Sequence, residues 1–179
     1  MALSRPLARV GATVLGPVVA RYIQTQRNRL VHSATPLPEE TKLRLRQHFS
    51  DHDLDRVCIV QADPLPIPNP PFYPLLRLLQ LDLPEPALTQ AITFLDLIAT
   101  RQPMSLALAF HELVHIVQVR LLGLDRFARL YVLGFFAEGG YHAIPLERCA
   151  YELERRFVAE KEPFDTEAEV LKWIQSDLF

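Results

Sequence analysis

The stretch SLALAFHELVHIVQVRLLG, residues 105–123, decides the reading of this chain. Ser105 is a good N-cap, and Pro103 lies just ahead of it. Gly123 is a good stop. Between them the residues are apolar nearly all round: Leu106, Leu108, Phe110, Leu113, Val114, Ile116, Val117 and Val119. A helix apolar on every side belongs in the middle of a domain. Into it are set His111, Glu112 and His115, and unpaired polar groups in such a place are costly. Two histidines four residues apart sit one above the other on a helix face. Both imidazoles then reach one ion, and zinc takes imidazole nitrogen well. Glu112 lies about 100° round the helix from His111. It can approach a water bound to the ion without occupying the ion itself, and take that water's proton. The competing reading is two core histidines bonded to backbone or carboxylates.

A catalytic zinc site wants a third protein ligand and an open position. The helix expected from Pro145 and Leu146 to about Glu160 offers Glu147, Glu152 and Glu154. On a helical wheel Leu146, Ala150, Leu153, Phe157 and Val158 mark its buried side, with Glu147 and Glu154 within that side. Glu152 points away, in line with Arg148 and Arg156, as an exposed charge ladder would. Cys149 also faces away from the centre of the stripe. Glu147 sits in the first turn, which the preceding Gly139-Gly140-Tyr141-His142 loop can carry toward the histidines. We expect Glu147 as third ligand, Glu154 as alternative ligand or partner behind the site, and His142 as an outsider. A first-turn carboxylate is also favoured by the helix dipole alone.

The run His111 to His115, Gln118, Tyr141, Ile144-Pro145-Leu146-Glu147 and Ala150-Tyr151-Glu152 resembles the zincin metallopeptidases of the glutamate-ligand type, small bacterial HExxH proteins in particular. The resemblance spans about Ala91 to Phe157. It implies that Glu147 matches the glutamate ligand and that a strand over Ala91 to Thr100 forms the lower edge of a substrate cleft. An extended peptide adds to such an edge. It also implies a His or Tyr that stabilises the oxyanion, for which Tyr141, His142 and Tyr151 are the candidates. A second acid often follows the ligand glutamate two residues later in these proteins. Here that position is Cys149.

Outward from this core, Leu7 to Leu30 reads as a helix. Leu3, Leu7, Val10, Val14 and Val18 form one apolar stripe. Arg5, Arg9, Arg21, Arg27 and Arg29 all precede the first acid, Glu39. A basic start beside apolar residues suits a targeting segment or a membrane-surface helix; Pro17 inside the apolar run counts against a signal peptide. Further elements expected are a helix from Glu39 to Phe49, a strand from Arg56 to Gln61, and a helix capped by Asp125 and reaching Phe136. A last short helix opens on a Thr166/Glu169 capping box. The proline-rich loop 63–74 cannot hold regular structure, and 75–81 is ambiguous. His32, His48 and His52 read as surface histidines.

The chain has 179 residues, 49% of them hydrophobic and 22% charged, with a net charge of −2. One domain spanning 1–179 is expected, α+β and mostly helical with a small sheet, its zincin-like core over 91–160. The charge gives no reason to invoke nucleic acid. Two cysteines, Cys58 and Cys149, build no disulfide framework and favour a reducing, cytoplasmic setting over secretion. The expected function is zinc-dependent hydrolysis of a peptide or protein substrate, with a non-catalytic zinc-binding module as the alternative. Peripheral membrane contact through residues 1–30 is compatible with both.

Overall fold

The computed structural model describes residues 2–66, 89–159 and 162–176. The ambiguous segment 75–81 and the proline-rich loop from residue 67 onward fall outside them. The architecture is α+β, mostly helical, with one four-stranded mixed sheet. Among the described residues the helices are α1 (Arg5–Leu30), α2 (Glu39–Leu45), α3 (Asp51–Arg56), α4 (Leu106–Leu122), α5 (Leu124–Glu138), α6 (Pro145–Ala159) and α7 (Thr166–Ser176). The strands are β1 (Thr35–Pro36), β2 (Cys58–Gln61), β3 (Ala91–Phe94) and β4 (Leu97–Thr100). Their order is β1-β2-β4-β3, with β2 and β4 parallel and both outer pairs antiparallel.

The helix that opened the sequence reading is the centre of the fold. Ser105 caps α4 by accepting the Leu108 N–H at 3.1 Å. Gly123 ends it at φ 74°, a value that side chains with a Cβ rarely adopt. Gly123 is also the N-cap of α5, so Asp125 lies within the first turn and is not the cap that the sequence suggested. α4 is buried along almost its whole length and packs against α5, α6, α7 and β3. Phe110 stacks on Phe157 at 4.4 Å between ring centroids.

Several expectations are corrected at the edges. The single strand over 91–100 is a hairpin, turned at Leu95-Asp96 with Phe94 opposite Leu97. Leu95 stands at φ 61°, an uncommon place for a branched side chain. Arg27 of α1 holds the next residue, its Nε and Nη2 donating to the two Asp96 oxygens at 2.8 Å each. The expected helix to Phe49 ends at Leu45, and α3 follows, capped by Ser50. Asp165, not Thr166, caps α7 by accepting the Ala168 N–H at 3.2 Å, while Glu169 turns to Lys172. His48 is not a surface residue: it is half-buried among Phe110, Phe157 and Phe164, and this burial lowers its pKa. His32 and His52 are exposed. Cys149 is buried in the core and not turned away from it, whereas Val158, near the end of α6, is exposed. Neither cysteine forms a disulfide.

The Arg27–Asp96 pair gives a stability prediction. Arg27 holds the Asp96 carboxyl below its usual range, chiefly through the paired hydrogen bonds. A carboxylate with a depressed folded pKa contributes above its unfolded value of about 4, and that contribution fades as pH falls through the lower folded value. Both side chains are about a third exposed, so solvent screening limits the pair to about 1 kcal/mol. We predict that Asp96→Asn lowers the melting temperature by a few degrees at pH 7 and that the difference from wild type shrinks on acidification below about pH 4. A difference that grows on acidification would refute it.

Candidate metal centre

Two helices deliver one cluster. α4 presents His111 and His115 one turn apart, and the first turn of α6 presents Glu147. His111 Nε2 and His115 Nε2 stand 3.2 Å apart, and each lies 3.5 Å from Glu147 Oε2. All three residues are buried, 6% exposed or less. Tetrahedral bonds of about 2.0–2.1 Å separate neighbouring donor atoms by roughly 3.3 Å, so this triangle matches one face of such a site. Glu147 Oε2 has no hydrogen-bond donor among the described residues, which is costly for a buried carboxylate oxygen without an ion. A buried His, His, Glu group of this geometry can hold a metal ion.

The outer partners aim the donors. His115 Nδ1 is 2.9 Å from Gln118 Oε1, an oxygen that can only accept. The Gln118 amide is oriented by its own bond to the Leu146 carbonyl at 2.9 Å. His111 Nδ1 is 3.0 Å from Glu154 Oε2. With both Nδ1 atoms donating, the neutral rings turn their Nε2 lone pairs toward one another and toward Glu147. Lone pairs at 3.2 Å repel unless a cation lies among them. Glu154 therefore stands behind His111 and outside the group of donors that lie together. The other Glu147 oxygen, Oε1, accepts the Tyr131 hydroxyl at 2.7 Å.

The electrostatics follow. Without an ion, burial alone would lower the His111 pKa, but Glu147 and Glu154 outweigh it and raise the ring to about 10, so a proton on the ring then supplies the positive charge that a bound ion would bring to the neutral pair. Burial would raise Glu147, yet His115 and His111 hold its carboxyl well below the usual range. Burial and then the Glu147 charge push the Tyr131 and Tyr141 hydroxyls far up, so both remain neutral donors. Tyr151 is pushed up to about 12 for the same two reasons.

Glu112 lies beside this group and not in it. It is 5% exposed, and its Oε2 accepts the Thr93 hydroxyl of strand β3 at 2.6 Å. The same hydroxyl lies 3.3 Å from the Glu112 carbonyl oxygen. The three oxyanion candidates are neighbours, the His142 ring lying between those of Tyr141 and Tyr151 at 5.3 and 5.9 Å. Tyr151 covers His111 at 4.6 Å between centroids, and the half-buried Tyr141 faces Tyr131 and Glu147. His142 is exposed, with the Tyr141 and Tyr151 rings as its aromatic neighbours among the described residues. Glu152 pairs with Arg155 at 2.6 Å on the surface.

Tyr131 and Thr93 were not read from the sequence as site residues. Tyr131 comes from α5, which approaches the start of α6 through Gly134: a Cβ there would meet Pro145 Cδ at 2.7 Å and Ile144 Cγ2 at 3.2 Å. We predict that Gly134→Ala costs about 1–3 kcal/mol by overpacking and weakens metal binding by moving Pro145 and Glu147 together. Thermal melts with and without metal measure both, and an unchanged metal response would refute the second. Gln118→Leu should keep the fold and lose about 10–100-fold in metal affinity, as the loss of a partner that orients a ligand histidine does. Comparison with protein families, curated proteins and solved structures finds no match for this chain.

Proposed function

We propose that this chain is a zinc-dependent hydrolase of the zincin type that cleaves peptide bonds. The convergence of His111 Nε2, His115 Nε2 and Glu147 Oε2, with Glu112 beside them and bound elsewhere, carries the reading. A two-imidazole, one-carboxylate donor set suits zinc and leaves a position for substrate. When bound, zinc would supply a Lewis acid that polarises a carbonyl and acidifies a water. The chain's own residues do the rest. Glu112 accepts the proton of the attacking water and returns it to the leaving amine. Thr93 holds the Glu112 carboxylate in place. Tyr141 and Tyr151 are the neutral hydroxyl donors available to a developing oxyanion. Among the described residues strand β3 is the outer strand of the sheet, and it carries Thr93, so a peptide added along that edge would run past Glu112.

The burial of all three donors favours a second reading, a non-catalytic metal module. The separating experiment is cleavage of a peptide library by purified protein as isolated, after chelation, and after zinc is returned. Cleavage lost on chelation and restored by zinc supports the hydrolase. Stoichiometric zinc without cleavage of any peptide supports the module.

A further inference from the structure

α1 is attached to the domain by the face opposite to its apolar stripe. Ala8, Ala12, Gly16 and Ala20 recur every fourth residue and are buried. They lie against α5, whose Val132 and Phe136 cluster with Ala8 and Ala12. The approach is close: a Cβ on Gly16 would meet Arg129 Cγ at 2.5 Å, and one on Gly11 would meet Phe136 at 3.1 Å. The helix cannot rotate about this seam to bury anything else. The seam leaves Leu7, Val10, Val14 and Val18 outside, each 55–62% exposed. They repeat at three- and four-residue steps and form one continuous strip on the outer face.

The charges of α1 match this strip to one occupant. No acid occurs before Glu39. Arg5, Arg9, Arg21 and Arg29 are exposed and meet no carboxylate among the described residues; Arg27 alone is paired, with Asp96. By helical position Arg21 and Arg29 continue the line of the strip toward the C-terminal end. A second copy of the chain would bring these cations against one another with no acid on the helix to answer them. Four side chains also supply far less than the roughly 800 Å² per partner of a stable protein interface. An anionic bilayer has neither difficulty: its headgroups take Arg21 and Arg29, which share the face of the strip, and its acyl boundary takes Leu and Val from a helix lying in the plane.

We propose that the outer face of α1 docks the protein on anionic membrane surfaces. Among the described residues no single helix is long and apolar enough to cross a membrane, and this contact needs none. It is independent of the metal site.

The test is co-sedimentation of the full chain with phosphatidylcholine vesicles, with and without phosphatidylglycerol, alongside light scattering in solution. Wild type should bind the anionic vesicles and leave the neutral ones. A Val10→Glu, Val14→Glu double variant should bind roughly tenfold or more weakly, as should one with Arg21 and Arg29 changed to Gln. All altered positions are exposed, and circular dichroism checks that each variant is folded. Failure of wild type to bind anionic vesicles overturns the proposal, as does binding that survives both variants. A wild-type dimer that Val10→Glu, Val14→Glu separates, without vesicle binding, would assign the face to self-association and overturn it too.

Discussion

Glu147→Gln should abolish stoichiometric metal binding while leaving the fold in place. The substitution keeps the size of the side chain and its bond from Tyr131, which donates to Oε1. It removes the charge on the oxygen that faces both histidines at 3.5 Å. The loss in affinity should exceed the roughly 10–100-fold typical of losing a partner behind a ligand. Stability reports it independently of catalysis. A ligand at about a thousand times its dissociation constant stabilises the folded state by about 4 kcal/mol. For a chain of this size that is a melting shift of roughly 10 °C. Wild type should gain this shift on adding zinc and lose it with chelator; Glu147→Gln should show neither. Metal content by mass spectrometry should read one zinc per wild-type chain. An unchanged zinc content in Glu147→Gln would remove Glu147 from the site, and a wild type that takes up no metal would remove the site.

The division between what was legible in the sequence and what was not follows the range of the forces involved. α4 could be read because its signals are local: a cap at Ser105, a stop at Gly123 and apolar residues on every side. Glu147 was legible because helical periodicity places it on the face of α6 that the core covers. Tyr131 was not. It meets Glu147 only because Gly134 lets α5 press on Ile144 and Pro145, a packing event with no local signature. The β3–β4 hairpin was read as one strand because Leu95-Asp96 carries no Gly or Asn, the usual residues of a two-residue turn. Its positive φ is supported instead by Arg27, from another part of the chain. α1 shows the limit of amphipathicity as a guide. Its apolar stripe was visible, but the face that packs is the one with the smallest side chains, because close approach of two helices offsets what each small residue lacks in area.

Glu112→Gln is the substitution that separates catalysis from binding. Glu112 lies outside the donor triad, so the variant should keep its zinc and its zinc-dependent melting shift. Its amide can still accept the Thr93 hydroxyl, so the side chain should stay where it is. What it cannot do is take a proton from water. Loss of a general base lowers rate by about 10²–10⁴, and cleavage of any wild-type substrate should fall within or below that range with KM little changed. Thr93→Val should act on the same step more gently, since it removes only the bond that fixes the carboxylate; Thr93→Ser should restore it. Retained zinc with cleavage equal to wild type in Glu112→Gln would show that the proton acceptor is another group. Lost zinc would show that Glu112 is needed to hold the metal, and the role of base would have to be assigned anew.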